Sequence, residues 1–162
     1  MPTYAGIGSR ETPPDVLEVM EALGATYAEA GWTLRSGGAK GADRAFEAGC
    51  DHAGGKKEIF RGEDATREAF EFSAAFHPNW AACRPYAREL HARNAMIIMG
   101  ERLNNRVAFV VCWTKDGKGG GGTGQGIRIA KAHDIIVYDL GDPTITYGQT
   151  NLEFAKVLAH VA

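Results

Sequence analysis

The stretch from residue 107 to residue 130 reads VAFVVCWTKDGKGGGGTGQGIRIA, and it decides the fold. It begins with the most apolar run in the chain, Val107 to Trp113, which predicts a central strand covered on both faces. It ends in a segment of helical period, so we expect a helix from Gly124 to about Ala132. The intervening glycines therefore join a core strand to a helix. A flexible linker would instead be polar on both sides and would join two domains.

The rest of the chain repeats this order of strand and helix, which is typical of a parallel sheet wrapped by helices. Thr12 is predicted to be the N-cap of the first helix, which we expect to stop at Gly31. The sequence therefore predicts an α/β protein, with a single Rossmann-like domain over residues 1–162 and a mostly parallel five-stranded sheet flanked by helices. The predicted strands are Thr3 to Ile7, Trp32 to Arg35, Lys57 to Phe60, Val107 to Trp113 and Ile135 to Leu140. The later predicted helices are Ala42 to Ala53, Ala65 to Phe76, Pro85 to Met99, Gly124 to Ala132 and Asn151 to Val161.

Composition and charge narrow the classes of function. The 162 residues carry a net charge of −2, which disfavours binding to duplex DNA. No segment approaches the length of a membrane span, and the first residues lack the pattern of a signal peptide, so we expect a cytoplasmic protein with no membrane contact. Cys50, Cys83 and Cys112 form no CxxC pair and are interpreted as reduced thiols. His52 has no second group of ligands at metal-binding spacing, and we expect neither a metal nor a cofactor.

Three glycine-bearing turns, GIGSR, SGGAKGAD and GGGGTGQG, each follow a predicted strand and end at the start of a helix. A helix start offers unpaired N–H groups and the positive end of the helix dipole, and glycine lets a phosphate approach them. Because the carboxyl ends of parallel strands meet at one edge of a sheet, the turns are predicted to form one cleft. The candidate phosphate- and nucleotide-binding residues are Gly8, Ser9, Arg10, Ser36, Gly37, Gly38, Lys40, Gly120, Gly121, Gly122, Thr123, Gly124 and Gln125.

Known phosphate-binding motifs do not describe these turns. The GxxxxGK[ST] spacing is absent, and Glu11 stands where the third glycine of GxGxxG would fall. A tight connection between strand and helix explains GIGSR equally well, whereas GGGGTGQG holds more glycines than a turn needs. Arg10 and Lys40 are the natural counter-charges for a phosphate. The second strand ends in RSGG without an acidic residue for a ribose, so an NAD-dependent oxidoreductase has little support.

Four motifs occur in order over most of the chain: YAGIGSR, LRSGGAKGADRAFEAG, LHARNAMIIMG and GGGGTGQGIRIA. Together they resemble the SLOG superfamily, the Rossmannoid group that joins the DNA-processing protein A core to the "lonely guy" phosphoribohydrolases. The last two motifs are similar to the phosphoribohydrolase pattern HxRKxxM followed by PGGxGTxxE. The resemblance implies that this domain binds a small-molecule nucleotide. It also implies a homo-oligomer, since relatives in the superfamily are commonly dimers.

The same resemblance implies hydrolysis of the N-glycosidic bond of a nucleoside 5′-monophosphate. By position, Gly121, Gly122 and Thr123 would hold the phosphate. Arg93 and His91 would be the arginine and the histidine of the HxRK element.

Two positions depart from the superfamily pattern. Asn94 replaces its lysine, and Gly126 replaces its catalytic glutamate. Glycoside cleavage needs a carboxylate to stabilise the transition state or to activate water. Asp43 and Glu11 are the candidate replacements, and Arg93 is the third candidate catalytic residue. Helix-dipole complementarity explains Asp43 without catalysis, and solvation explains Glu11 in the same way.

Two classes of function therefore stay open. One is an enzyme that releases a base from a nucleotide, and the other is a non-catalytic sensor or binding module for a nucleotide-derived ligand or for single-stranded DNA. The segment HPNW with Trp80, Cys83 and Tyr86 has two interpretations as well. It forms either an aromatic lid over a base or a packed corner between two helices.

Overall fold

The computed structural model describes residues 2–144, which form one parallel sheet between two layers of helices. The strands are β1 (Thr3–Gly6), β2 (Thr33–Ser36), β3 (Lys56–Ile59), β4 (Phe109–Cys112) and β5 (Ile136–Asp139). They lie in the order β3-β2-β1-β4-β5, and every neighbouring pair is parallel. The helices are α1 (Pro14–Glu29), α2 (Ala42–His52), α3 (Arg67–Ala74), α4 (Pro85–Met99) and α5 (Gly121–Ala132). The predicted five-stranded, Rossmann-like α/β architecture is confirmed.

Successive residues of the strands point into two separate cores. Tyr4 of β1 packs with α1 and α2, in a cluster that includes Met20 and Phe46. The next residue, Ala5, packs on the opposite face with α4 and α5, in a cluster that includes Ile98 and Ile129. This alternation is the period of a strand whose two faces are both buried. It places α1 and α2 on one face of the sheet and α4 and α5 on the other.

The middle of the sheet is β1 rather than β4, which corrects the expectation that β4 is the central strand. β4 is nevertheless an interior strand, and its four residues are buried as its apolar sequence predicts. From β1 the chain proceeds to β2 on one side, whereas β4 and β5 lie on the other side. The direction in which successive strands are added to the sheet therefore reverses between β1 and β4. Open α/β sheets form ligand crevices at such a reversal, beyond the carboxyl ends of the strands.

Small residues set the distance between α1 and α2. A Cβ atom added at Gly49 would collide with the carbonyl oxygen of Glu21, and one added at Gly24 would collide with the carbonyl oxygen of Phe46. The backbones of the two helices therefore approach more closely than larger residues would permit. This contact holds α2, which begins beside the cleft described below, firmly against α1.

Most element boundaries agree with the sequence predictions within two residues, and α4 agrees at both ends. Two expectations about helix starts are wrong. Thr12 is not an N-cap: the N-cap position of α1 is Pro13, and the Thr12 hydroxyl donates to the carbonyl oxygen of Ser9 at 2.6 Å. α5 begins at Gly121 and not at Gly124. The predicted helix from Asn151 to Val161 lies outside the described residues.

The described part of the chain contains no helix that is both long and apolar enough to cross a bilayer. Its three cysteines are free, and Cys50 and Cys112 are buried.

Candidate functional site

A cleft of about 620 Å³ opens where β1 and β4 end. The turn after β1, the start of α2, the loop after β4, the first turn of α5 and one face of α4 line it. The predicted convergence of glycine turns on this edge thus brings together the first turn and the third. From the second turn, only Ala39 and the following Asp43 on α2 reach the cleft.

The glycine-rich loop between β4 and α5 is held at several points. The Thr114 hydroxyl accepts a hydrogen bond from the Gly119 N–H at 2.9 Å, and it donates to the carboxylate of Asp139. On the far side of the loop, Asn94 Nδ2 donates to the carbonyl oxygen of Gly122 at 3.1 Å. Side chains from α4 and from the end of β5 therefore fix both ends of the loop. It is an ordered part of the domain and not a flexible linker.

Backbone geometry explains some of the glycines in this loop, and packing explains others. Gly119 and Gly121 have φ angles of +70° and +68°, a region that glycine adopts at little cost. A Cβ atom at Gly124 would collide with the carbonyl oxygen of Gly119. Neither reason applies to Gly120 or Gly122, where φ is ordinary and an added Cβ meets no atom of the described residues within 4 Å. Both line the cleft.

The charged side chains around the cleft favour an anionic ligand. Within the part of the chain that the structure describes, four cationic residues and two acidic ones line it, and one of the acidic residues is buried. The cationic residues are Arg10, Arg93, Lys115 and Lys118, and the acidic residues are Glu11 and Asp43. The first turn of α5 adds unpaired backbone N–H groups and the positive end of the helix dipole. An anion in this cleft therefore meets positive potential from several directions.

Asp43 and Arg93 form a buried, charged wall of the cleft, at 4% and 8% exposure. Asp43 Oδ2 accepts a hydrogen bond from the Ala39 N–H at 3.3 Å. Burial raises the pKa of Asp43 to about 6, and the positive charge of Arg93 opposes that rise. Such a carboxyl group exchanges its proton near neutral pH, which suits a general acid or base.

The Arg93 guanidinium is positioned by backbone oxygens. Its Nη1 donates to the carbonyl oxygen of Gly37 at 2.9 Å and to that of Phe60 at 3.4 Å. Its Nε is buried and has no hydrogen-bond partner in the described part of the chain. Burial lowers the pKa of Arg93, whereas the charge of Asp43 raises it. The side chain is thus held beside the cleft, and its buried Nε–H group is unused among the described residues.

Ten of the candidate residues line the cleft. They are Gly8, Ser9, Arg10, Glu11, Asp43, Arg93, Gly120, Gly121, Gly122 and Thr123.

Six other candidates are placed elsewhere. Ser36 is buried and donates to the carbonyl oxygen of Gly6, and Gly37 is likewise buried beside Arg93. Gln125 is fully buried, and its Nε2 donates to the backbone oxygen of Ser73 at 2.7 Å. Neither hydrogen bond is readable from the sequence, because each partner lies in a distant segment. The remaining three are Gly38, which lies against Arg61, the exposed Lys40, and Gly124, which packs on Gly119.

Several residues of the cleft were not among the candidate binding residues. Tyr86, Leu90 and Asn94 line it from α4, at the four-residue spacing of one helix face. That spacing was visible in the sequence and marks the face that Arg93 shares. Lys115 and Lys118 line the cleft from the loop after β4. Their place before the glycines could have indicated them as partners for an anion.

Two positions singled out by the resemblance lie outside the cleft. Gly126 is buried, and a Cβ atom added there would lie 3.2 Å from Cδ1 of Ile7 and 3.8 Å from the side chain of Ile98. A glutamate at this position would therefore begin among apolar side chains. His91 faces the segment between α3 and α4, where its ring lies 4.6 Å from that of His77.

Comparison with models of known protein families, with curated proteins and with solved structures found no match to this chain.

Proposed function

We propose that the cleft binds a nucleotide, with a phosphate seated on the first turn of α5. The observation that carries this proposal is the pair Gly120 and Gly122, whose missing side chains neither the backbone nor the packing explains. Bare main-chain amides at a helix start are suited to a phosphate, because the N–H groups stay accessible and the helix dipole is favourable. The resemblance to the SLOG superfamily supports the same seat, since it implies a phosphate on Gly121, Gly122 and Thr123.

The cleft also has the size and chemistry that a nucleoside needs. Its volume of about 620 Å³ is within the usual range for small-molecule sites, which is roughly 300–1,000 Å³. Tyr86 and Leu90 give the α4 side of the cleft an aromatic and apolar character, and the turn that contains Ser9 and Arg10 gives it polar groups. We place the base against α4 and the phosphate against α5.

We further propose that the bound nucleotide is a nucleoside 5′-monophosphate and that its N-glycosidic bond is hydrolysed. The bond from C1′ to the base nitrogen breaks, water adds its hydroxyl to C1′, and the base departs with a proton. Asp43 is the carboxyl group suited to exchange that proton, because burial raises its pKa to about 6. Glu11 lines the same cleft and is the second candidate carboxylate. Arg93 is proposed to stabilise negative charge on the ligand.

A non-catalytic sensor or binding module is the second candidate function. One observation favours it: Gly126 stands where the resemblance implies the catalytic glutamate, and its surroundings are apolar. The nucleotide-derived ligand would then bind at the same first turn of α5 and would not be hydrolysed. Single-stranded DNA remains an alternative ligand for such a module. Its affinity should fall steeply with salt, whereas that of a mononucleotide should change little.

The proposal is tested by calorimetric titration with nucleoside 5′-monophosphates, together with chromatographic detection of free base. We expect saturable binding that Gly122→Val abolishes while the thermal unfolding temperature is retained. Gly62→Ala is the control, because Gly62 does not line the cleft and its Cβ would make only ordinary contacts of 3.6 Å or more.

Base release should be lost in Asp43→Asn with binding retained. Binding without release in the wild type would favour the sensor. Unaltered binding in Gly122→Val would refute the proposal that the phosphate binds at the first turn of α5.

A further inference from the structure

The segment between α3 and α4 brings one imidazole and a thiol close to a second imidazole on α4, outside the cleft. His77, Cys83 and His91 each offer one ligand atom, and these atoms all lie within 4.8 Å of one another. We propose that these three side chains form a binding site for a divalent transition metal of the zinc class. In the sequence they are separated by five and seven residues, which is not a familiar ligand spacing.

The geometry is close to that of a tetrahedral centre. With metal–nitrogen bonds of about 2.0 Å and metal–sulfur bonds of about 2.3 Å, ligand atoms of a zinc site lie roughly 3.3–3.6 Å apart. Cys83 Sγ is already 3.5 Å from His77 Nε2. The remaining separations are at most 4.8 Å and must contract by up to about 1.5 Å, which rotations of the three half-buried side chains supply. A water molecule would complete the coordination.

The hydrogen bonds around the cluster differ between the two imidazoles. The N–H of Asn79 donates to His77 Nδ1 at 3.0 Å, which puts the ring proton on the Nε2 that faces Cys83. Coordination of a metal by Nε2 would therefore move this proton to Nδ1 and replace the hydrogen bond from Asn79. His91 Nδ1 is buried and has no hydrogen-bond partner among residues 2–144. A buried nitrogen without a partner costs free energy unless something occupies its lone pair. The Cys83 thiolate would supply negative charge against the nearby Arg128.

The second imidazole, that of His91, distinguishes this cluster from a reactive cysteine pair, because its Nδ1 has no hydrogen-bond partner among residues 2–144. Contact between Cys83 and His77 alone would equally suit a thiolate–imidazolium pair. Such a pair gives no role to His91, whose ring lies 4.6 Å from that of His77.

The metal would have a structural role, in which it stabilises the segment between α3 and α4. Between the end of α3 and the start of α4, the only regular structure is one short 3-10 turn, Trp80–Ala82. The bound metal would link this segment to α4 through His91. The same helix carries Leu90, Arg93 and Asn94 into the cleft.

The first test uses the full chain, stripped with a chelator and titrated with Co²⁺ and then with Zn²⁺. We expect saturation at one equivalent of Co²⁺, with thiolate-to-cobalt charge-transfer absorption that Zn²⁺ removes. Loss of a mere outer-shell partner costs about 10–100-fold in metal affinity, so Cys83→Ser should weaken Zn²⁺ binding by at least about 100-fold. His91→Asn should do the same. His52→Asn, at an exposed histidine on α2, is the matched control and should bind like the wild type.

The second test measures thiol reactivity. Cys50 and Cys112 are buried, so in the stripped native protein only Cys83 should react with a thiol reagent, and Zn²⁺ should protect it. Circular dichroism checks that each variant is folded. Absence of the charge-transfer band, or wild-type Zn²⁺ affinity in folded Cys83→Ser, would overturn the proposal. Rapid alkylation that depends on His77 but not on Zn²⁺ would overturn it in favour of a reactive thiolate.

Discussion

Replacing Gly122 by alanine should make the protein more stable and its ligand binding weaker. Gly122 lies in the first turn of α5, its φ is ordinary, and an added Cβ meets no atom of residues 2–144 within 4 Å. Alanine therefore removes conformational freedom from the unfolded chain without strain in the folded one, worth roughly 0.5–1 kcal/mol. A domain of this size gains about 2–4 °C in Tm for each kcal/mol. The expected rise is thus about 1–4 °C.

The same methyl group stands where the proposed phosphate approaches the amides of α5. Loss of one charge-assisted hydrogen bond costs about 1.5–3 kcal/mol, so the affinity for a nucleoside 5′-monophosphate should fall about 10–100-fold. Differential scanning calorimetry measures the first effect and isothermal titration calorimetry the second. Gly62→Ala, at a glycine that does not line the cleft and whose added Cβ would make only ordinary contacts, is the control and should leave affinity unchanged. A more stable Gly122→Ala variant that binds as tightly as the wild type would refute the reasoning.

Three further substitutions probe the wall of the cleft and the core. Burial raises the pKa of Asp43 from 3.8 to about 6, so its contribution to stability is complete below pH 3.8 and is lost as pH rises through about 6. The free energy of unfolding of the wild type, measured with urea, should fall by about 3 kcal/mol relative to that of Asp43→Asn as the pH rises from below 3.8 to above 6. Parallel pH profiles for the two proteins would contradict this. Gly49→Ala drives a methyl group into the carbonyl oxygen of Glu21, and chemical denaturation should show a loss of about 1–3 kcal/mol. If Gly49→Ala were as stable as the wild type, α1 and α2 could move apart at no cost in free energy. Gly126→Glu places a carboxylate beside Ile7, and we expect at least about 2 kcal/mol of destabilisation by the same assay; a variant of wild-type stability would show that the glutamate reaches solvent.

The features predictable from the sequence were those with local causes. α4 has the predicted bounds because Pro85 is favourable in a first turn and Gly100, with φ +89°, ends the helix. The parallel sheet followed from the alternation of apolar runs and helical segments. The order of the strands did not, because it depends on which strand pairs with β1.

The candidate site was predictable to a similar degree. Glycines and charged residues in turns after β1 and β4 lie at the cleft because the topology brings these ends together. Ser36 and Gln125 do not line the cleft, and the sequence does not show this, because their hydrogen bonds to Gly6 and Ser73 depend on tertiary packing. The sequence predicts the start of α5 three residues too late, because glycine has a low helix propensity and consecutive glycines do not indicate a helix start. The same limit applies to His77 and His91, which only the folded chain brings together.

The most direct measurement is a crystal structure of the protein soaked with a nucleoside 5′-monophosphate. We predict phosphate density within hydrogen-bond distance of the backbone N–H groups of residues 121–123, with the base toward Tyr86 and Leu90 on α4. A nucleotide bound in another cavity, with the first turn of α5 in contact with solvent alone, would contradict the account.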